Sequence, residues 1–216
     1  MSQEFFEAAT GGDVSKVRAM LQTDPSLARA KDENGVSVIM KATYYGKKDV
    51  VGALLESGVE LDVFEAAATG RVERLMNLIE RDPALTNTYS PDGFHPLGFA
   101  VFFGQPEAVK ALLNAGADVN LPSRESMKVT PLASAAAAKQ TEIARMLIAH
   151  GANVNARAAG GHVPLHEAAA NGNVELVKLL IEHGADVNAK TDDGKTSLDF
   201  ANEHKRPEVA ALLEKS

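Results

Sequence analysis

Two histidines four residues apart, His162 and His166, are the first pair in this chain whose type and spacing suit a metal ion. Zinc held by such a pair needs both imidazoles on one helical face. Val163-Pro164 lies between them, and a proline there starts a helix instead of continuing one. The pair therefore straddles a junction, and no metal is expected. HEAAAN, 166–171, begins like the HExxH zinc motif but lacks its second histidine. GKT at 194–196 matches the end of a phosphate-cradling loop, yet Ala189 stands where the loop's first glycine belongs. TDDGK lacks the alternating oxygen ligands and the distant Glu of a calcium loop, so Asp192-Asp193-Gly194 reads as turn chemistry. No Ser, His and acid are joined by a nucleophile elbow, and there is no cysteine. The expectation is a protein with no catalytic residue and no cofactor.

What the chain offers instead is repetition. HPLGFAVFFGQPEAVKALLNAGADVN (95–120), TPLASAAAAKQTEIARMLIAHGANVN (130–155) and VPLHEAAANGNVELVKLLIEHGADVN (163–188) align with one another. Leu97, Leu132, Leu165 and Leu198 are separated by 35, 33 and 33 residues. Gly12, Gly46, Gly70, Gly104, Lys139, Gly172 and Lys205 occupy one equivalent place, at spacings of 34, 24, 34, 35, 33 and 33. Seven units follow, approximately 1–35, 36–62, 63–93, 94–128, 129–161, 162–194 and a shorter 195–216.

Each unit reads as helix, turn, helix and an extended finger. Pro96, Pro131 and Pro164 suit a first helical turn, and Thr130 and Thr196 can cap it. The small pairs Ala8-Ala9, Ala66-Ala67 and Ala168-Ala169 allow helices of adjacent units to approach closely. A glycine supplies the turn. The second helix carries apolar residues at helical spacing, as in Leu176, Val177, Leu179 and Leu180, and stops at Gly58, Gly116, Gly151 or Gly184. One such unit cannot bury its apolar face, so neighbours must stack. The predicted fold is a single all-α repeat solenoid over 1–216.

These residues resemble ankyrin repeats, whose pattern TPLH-x-AA-xx-G…LL-xx-GADVN is matched best by VPLHEAAANGNVELVKLLIEHGADVNAKTDDGKT. The resemblance covers essentially the whole chain. It implies stacked helix pairs with β-hairpin fingers, and a concave face built from fingers and first helices. At the TPLH position, it implies that His166 hydrogen-bonds within the helix start and finger. The chain also departs from the pattern. DPSLARAKDENG (24–35) and DPALTNTYSPDG (82–93) replace the GADVN ending, a variant similar to prokaryotic ankyrin proteins. About ten residues are missing between Gly58 and Gly70, so SGVELDVFEAA is expected to run into the next helix without a finger. The finger LPSRESMK, 121–128, is two residues longer than its relatives.

The family's contact positions, the two residues before the turn and the finger tips, fall here on aromatic residues. Tyr44-Tyr45 and Phe102-Phe103 precede Gly46 and Gly104, and Tyr89 and Phe94 flank the intervening finger. Equivalent positions elsewhere are polar or small, as in Thr10-Gly11, Ala68-Thr69 and Ala137-Ala138. Two readings stand side by side. An exposed aromatic cluster marks an interaction site, or Phe102 and Phe103 lean sideways to cover the flank left by the missing finger. Arg124 on the long finger, and Arg157, His162, Lys190, Asp192 and Lys195 on the C-terminal fingers, form a second candidate contact set, with a solvated rim as the alternative.

Charge and composition narrow the partners. The net charge is −7, and ten basic against fifteen acidic residues in 1–93 leave no basic surface for nucleic acid or anionic lipid. No apolar run reaches membrane-span length, and MSQEFFEAATGGD lacks the pattern of a secretory signal. Without cysteines the chain fits a reducing compartment, and the expected location is the cytoplasm. The expected function is a non-enzymatic module that binds an unknown protein partner through its concave face, with no nucleic acid, membrane or small-molecule substrate. The alternative is an accessory protein that protects or blocks a partner enzyme through the same groove.

Overall fold

The computed structural model describes residues 2–216. Helices come in antiparallel pairs: α1 (Ser2–Gly11) with α2 (Val14–Thr23), α3 (Val38–Tyr44) with α4 (Lys48–Glu56), and α5 (Val63–Ala68) with α6 (Val72–Arg81). They continue as α7 (Pro96–Phe102) with α8 (Pro106–Asn114), α9 (Pro131–Ala137) with α10 (Thr141–Ala149), α11 (Pro164–Asn171) with α12 (Val174–Glu182), and α13 (Ser197–Glu203) with α14 (Pro207–Leu213). The odd-numbered helices pack side by side in one row. The even-numbered helices form a second row behind it. Leucines at matching places, among them Leu54, Leu97, Leu132, Leu165 and Leu180, are wholly buried between pairs and make one continuous core.

Starts and stops are local chemistry. The Thr130 and Thr196 hydroxyls accept the amides of Ala133 and Asp199, as N-caps do. Asp62 and Glu65 form a reciprocal capping box at α5. The imidazoles of His150 and His183 lie 2.8 Å from the carbonyls of Met146 and Leu179 in the last turns of α10 and α12.

At two of the turns inside helix pairs, glycine is required for two separate reasons. Gly70 has φ +67°, and a Cβ there would stand 2.5 Å from Oε1 of Gln105. Gly172 has φ +70°, and its Cβ would meet Cδ of Arg206 at 2.6 Å. In both cases a side chain from the next turn folds back over the glycine. Gln105 Nε2 donates to the Ala68 carbonyl at 3.1 Å, and Arg206 Nε donates to the Ala170 carbonyl at 3.0 Å. Each clamp satisfies a carbonyl that a helix end leaves open. Lys139 and Lys205 take the same left-handed conformation, φ +59° and +56°, against a steric cost of about 1 kcal/mol.

The fingers are tighter than the β-hairpins the resemblance implies. Among the described residues there is no regular strand, only an isolated bridge between Lys31 and Ser37. Each arm is too short for a ladder: the finger 90–94 is closed by Ser90 N–H on the Phe94 carbonyl at 2.8 Å, and 191–195 likewise by Thr191 on Lys195 at 3.0 Å. Strand-like pairing runs sideways instead. Arg124 N–H donates to Gly93, Ala159 to Met127 and Asp192 to Gly160, at 2.8, 2.9 and 2.9 Å, which ties four successive fingers into a row.

That row is interrupted once. Residues 57–62 carry the chain from α4 straight into α5 with no finger. At this junction α4 and α6 also stand apart, leaving an open cleft of about 710 Å³ lined by Leu55, Val59 and Val72.

Candidate protein-binding face

Because α3 and α7 both end just before a glycine turn, each presents two residues at its C-terminal tip, on the side facing the fingers. In α3 these are Tyr44 and Tyr45, and in α7 they are Phe102 and Phe103. The structure brings Tyr44 against Phe102 and Phe103 although they belong to units separated by a whole helix pair. Tyr44 lies 6.3 Å from Phe102 and 5.2 Å from Phe103, edge to face, and Phe102 lies 5.0 Å from Phe103. Short α5, whose Ala66, Ala67 and Ala68 are fully buried, leaves room for the rings to meet above it.

The four are not equivalent. Phe103 is half-buried and stacks on buried Phe99, with ring planes 6° apart, so it fills the flank. Phe102 is 52% exposed and Tyr45 61%. The structure thus packs Phe103 and leaves its neighbour Phe102 exposed. Tyr44 stands between them: its hydroxyl donates to Asp92 Oδ2 at 3.0 Å across the gap of the missing finger. Burial, helped by that carboxylate, pushes the phenol well above its ordinary pKa, so it remains a donor.

Two clefts flank this patch, one on each side of the finger 90–94. The larger, about 520 Å³, lies between α7 and α9, with Phe94 and Phe102 on one wall and Ala137 and Ala138 on the other. It exists because Gly98, Ser134, Ala137 and Ala138 leave little side-chain mass between the helices. The smaller, about 260 Å³, occupies the place of the absent finger, between Tyr44, Phe64, Phe99 and Asp92.

Other residues singled out in the sequence lie elsewhere. Tyr89 is half-buried, donates its hydroxyl to the Pro122 carbonyl at 2.7 Å and carries the Arg124 guanidinium 3.9 Å above its ring. The two join neighbouring fingers. Arg157 donates to the Lys190 carbonyl at 3.1 Å and pairs with Asp192 at 3.4 Å. Lys195 pairs with Glu203 at 2.8 Å, and the His162 ring packs on Phe200 at 5.5 Å while facing Glu167. Arg157, His162, Asp192 and Lys195 thus have partners within the chain, the Lys190 side chain is exposed, and Tyr45 and Phe102 present bare rings.

The His162 and His166 rings do meet, 5.8 Å apart, but both nitrogens of His166 are occupied. Nδ1 accepts the Val163 amide at 3.1 Å, and Nε2 faces the Ala189 carbonyl at 3.0 Å, which assigns the Nε2–H tautomer. His95 does similar work three places earlier in its unit, at the place of Val163, accepting from Gly98 and facing the Leu121 carbonyl. Burial lowers the pKa of both imidazoles. His95 was not recognised in the sequence because it precedes its proline where His166 follows one. The turn clamps of Gln105 and Arg206, and the burial of Glu65, were also missed. A polar residue one place after each turn glycine was the available signal for the clamps.

Among the described residues, no group of three metal-ligating side chains converges and no helix is long and apolar enough to cross a membrane. Comparison with known proteins places three copies of the ankyrin repeat on residues 63–158 and a further ankyrin repeat on 160–192. A Fowlpox virus (strain NVSL) protein named for its ankyrin repeats is 30% identical over 166 residues, 73% of this chain and 37% of its own length. Ankyrin repeat domain-containing protein SAT10 of Stachybotrys chartarum is 28% identical over 71% of this chain and 8% of its own. The human DNA-binding protein RFXANK is 28% identical over 59% of this chain and 52% of its own. The chain thus spans little more than half of these relatives at most.

Proposed function

The chain belongs to the ankyrin repeat family, whose repeats are in general protein-interaction modules, and from that premise we propose that it binds a protein partner through the face of α3, α7 and the finger 90–94. The observation that carries this reading is the exposed ring of Phe102 on the wall of an apolar cleft of about 520 Å³, with Tyr45 exposed on neighbouring α3. Monomeric surfaces seldom leave such a patch without a use, and aromatic anchors seated in desolvated pockets supply hot spots of about 2 kcal/mol or more. Phe94 and Phe103 frame the patch, while the charged C-terminal fingers contribute orientation more than affinity. In this reading the protein is not an enzyme and acts in the cytoplasm. One relative is named a DNA-binding protein, but a chain of net charge −7 is a poor receptor for a polyanion.

The test is affinity capture from source-cell lysate with three forms of the protein: wild type, Tyr45→Ser/Phe102→Ser, and Arg157→Ala/Lys190→Ala. A partner retained by the wild type and the charge variant, and lost from an aromatic variant of unchanged melting temperature, supports the proposed face. Equal capture by all three would overturn it.

A further inference from the structure

The cleft of about 260 Å³ at the missing finger is too small for a whole ligand, since such sites usually run to about 300–1,000 Å³. It is the right scale for a single long side chain. Its walls are the rings of Tyr44, Phe64 and Phe99, and its carboxylates are Asp62, Glu65 and Asp92. We propose that this gap is a socket for one arginine side chain presented by the protein partner.

Three observations favour that occupant. First, charge: Asp62, Glu65 and Asp92 face only one lining cation, Lys31, at the mouth, and nearby Asp32 is already paired with Lys41 at 2.8 Å. Second, shape: aromatic walls beside carboxylates suit a planar guanidinium, which stacks on rings and donates in a fork, better than a compact ammonium. The carboxylates keep acceptor capacity for it. Glu65 Oε2 takes the Asp62 amide at 2.9 Å, and Asp92 takes the Tyr44 and Ser90 hydroxyls, within a capacity of about four acceptor sites per carboxylate. The three do not converge on a point, which argues for an extended organic cation over a metal ion. Third, Glu65 is 8% exposed, and its pKa is raised by burial and by Asp62, against the opposing pull of the Ser37 hydroxyl. A buried carboxylate beside another gains most from an incoming cation.

The inference rests on the protein-binding reading of this face, but its test does not need the partner. The probe is N-acetyl-L-arginine methylamide, titrated into the full chain and followed by amide chemical shifts, with the citrulline analogue as a neutral isostere and free L-arginine as a third arm. The expected result is saturable shifts at Tyr44, Phe64, Glu65 and Asp92, with the citrulline compound at least about tenfold weaker. Glu65→Gln and, separately, Asp92→Asn should each weaken the arginine compound several-fold, and Lys31→Ala should strengthen it; melting temperatures identify any variant that has merely unfolded. Equal binding of the two capped compounds, shifts scattered over other acidic surface, or no saturation at these amides would overturn the socket. Tighter binding of free arginine than of the capped form would overturn a protein-borne occupant. Lysate capture can fail while the titration succeeds, and the reverse, so the two readings are separable.

Discussion

The stack has a regular half and an irregular one. From α7 to α14 every pair carries its finger, and the fingers are laced to one another through backbone bonds from Arg124, Ala159 and Asp192. Here the residues that could face a partner are used internally. Asn171, at the place of Phe103 in its unit, spends its amide on the carbonyls of Ala136 and Ala137 at 3.2 and 2.9 Å. Between α3 and α7 the lacing stops, a finger is absent, and aromatic rings meet across the gap. Beyond α9, regular repetition spends such polar groups within the stack. A deletion in the repeat leaves apolar rings with partners on one side only, which is where a binding surface can arise.

The contrast can be broken most directly by core truncation. Leu165→Ala, wholly buried in the regular half, should lower unfolding free energy by about 3 kcal/mol in urea titration. Phe102→Ser should cost about 1 kcal/mol at most. An equal loss from both would mean that Phe102 is core after all. Next in size, Gly70→Ala combines a left-handed φ with the Gln105 clash and should cost about 2 kcal/mol, whereas Gly35→Ala, at φ +78° with nothing nearby, should cost about 1 kcal/mol. Equal losses would show that the clamp simply moves aside.

A smaller effect comes from the two buried imidazoles. Their folded pKa values lie below 6.5, so between those values and pH 6.5 the unfolded chain holds more protons than the folded one. Their contribution to stability is therefore full above about pH 6.5, falls as pH drops below it, and levels off beneath the lowered values. Glu65 works in the opposite sense, because its raised pKa favours the folded state on acidification. The His95→Gln/His166→Gln protein should show a flatter stability profile between about pH 5 and 7 than wild type; an unchanged slope would mean that neither ring is held neutral. Smallest of all, Arg157→Ala should leave stability within about 0.5 kcal/mol of wild type, since its ion pair with Asp192 is exposed.

Much of this architecture is legible in the residues. The glycine series located the turns, Thr130 and Thr196 marked helix starts, and the short spacing between Gly46 and Gly70 announced the missing finger. Each depends on backbone chemistry within a few residues. What was not legible depends on contacts a full unit away. Phe102 and Phe103 are neighbours of the same type, and only the position of Phe99 and Tyr44 decides that one is packed and the other bare. Tyr89, expected to frame the aromatic face, instead stacks with Arg124, a residue 35 positions further on. The smaller cleft shows in the sequence only as that short spacing, which does not reveal the rings and carboxylates that line it.

The sideways bonds between fingers have a mechanical meaning. Tension applied at the two ends of the chain passes along the helix rows, and where fingers are joined it also passes through a parallel cable of backbone bonds, Gly93 to Arg124, Met127 to Ala159 and Gly160 to Asp192. The stretch 57–62 has no strand of that cable, and side-chain bonds such as Tyr44–Asp92 span the gap instead. Under load the molecule is therefore a stiff C-terminal spring in series with a softer N-terminal joint. A partner seated across Tyr45 and Phe102 would act as the missing tie.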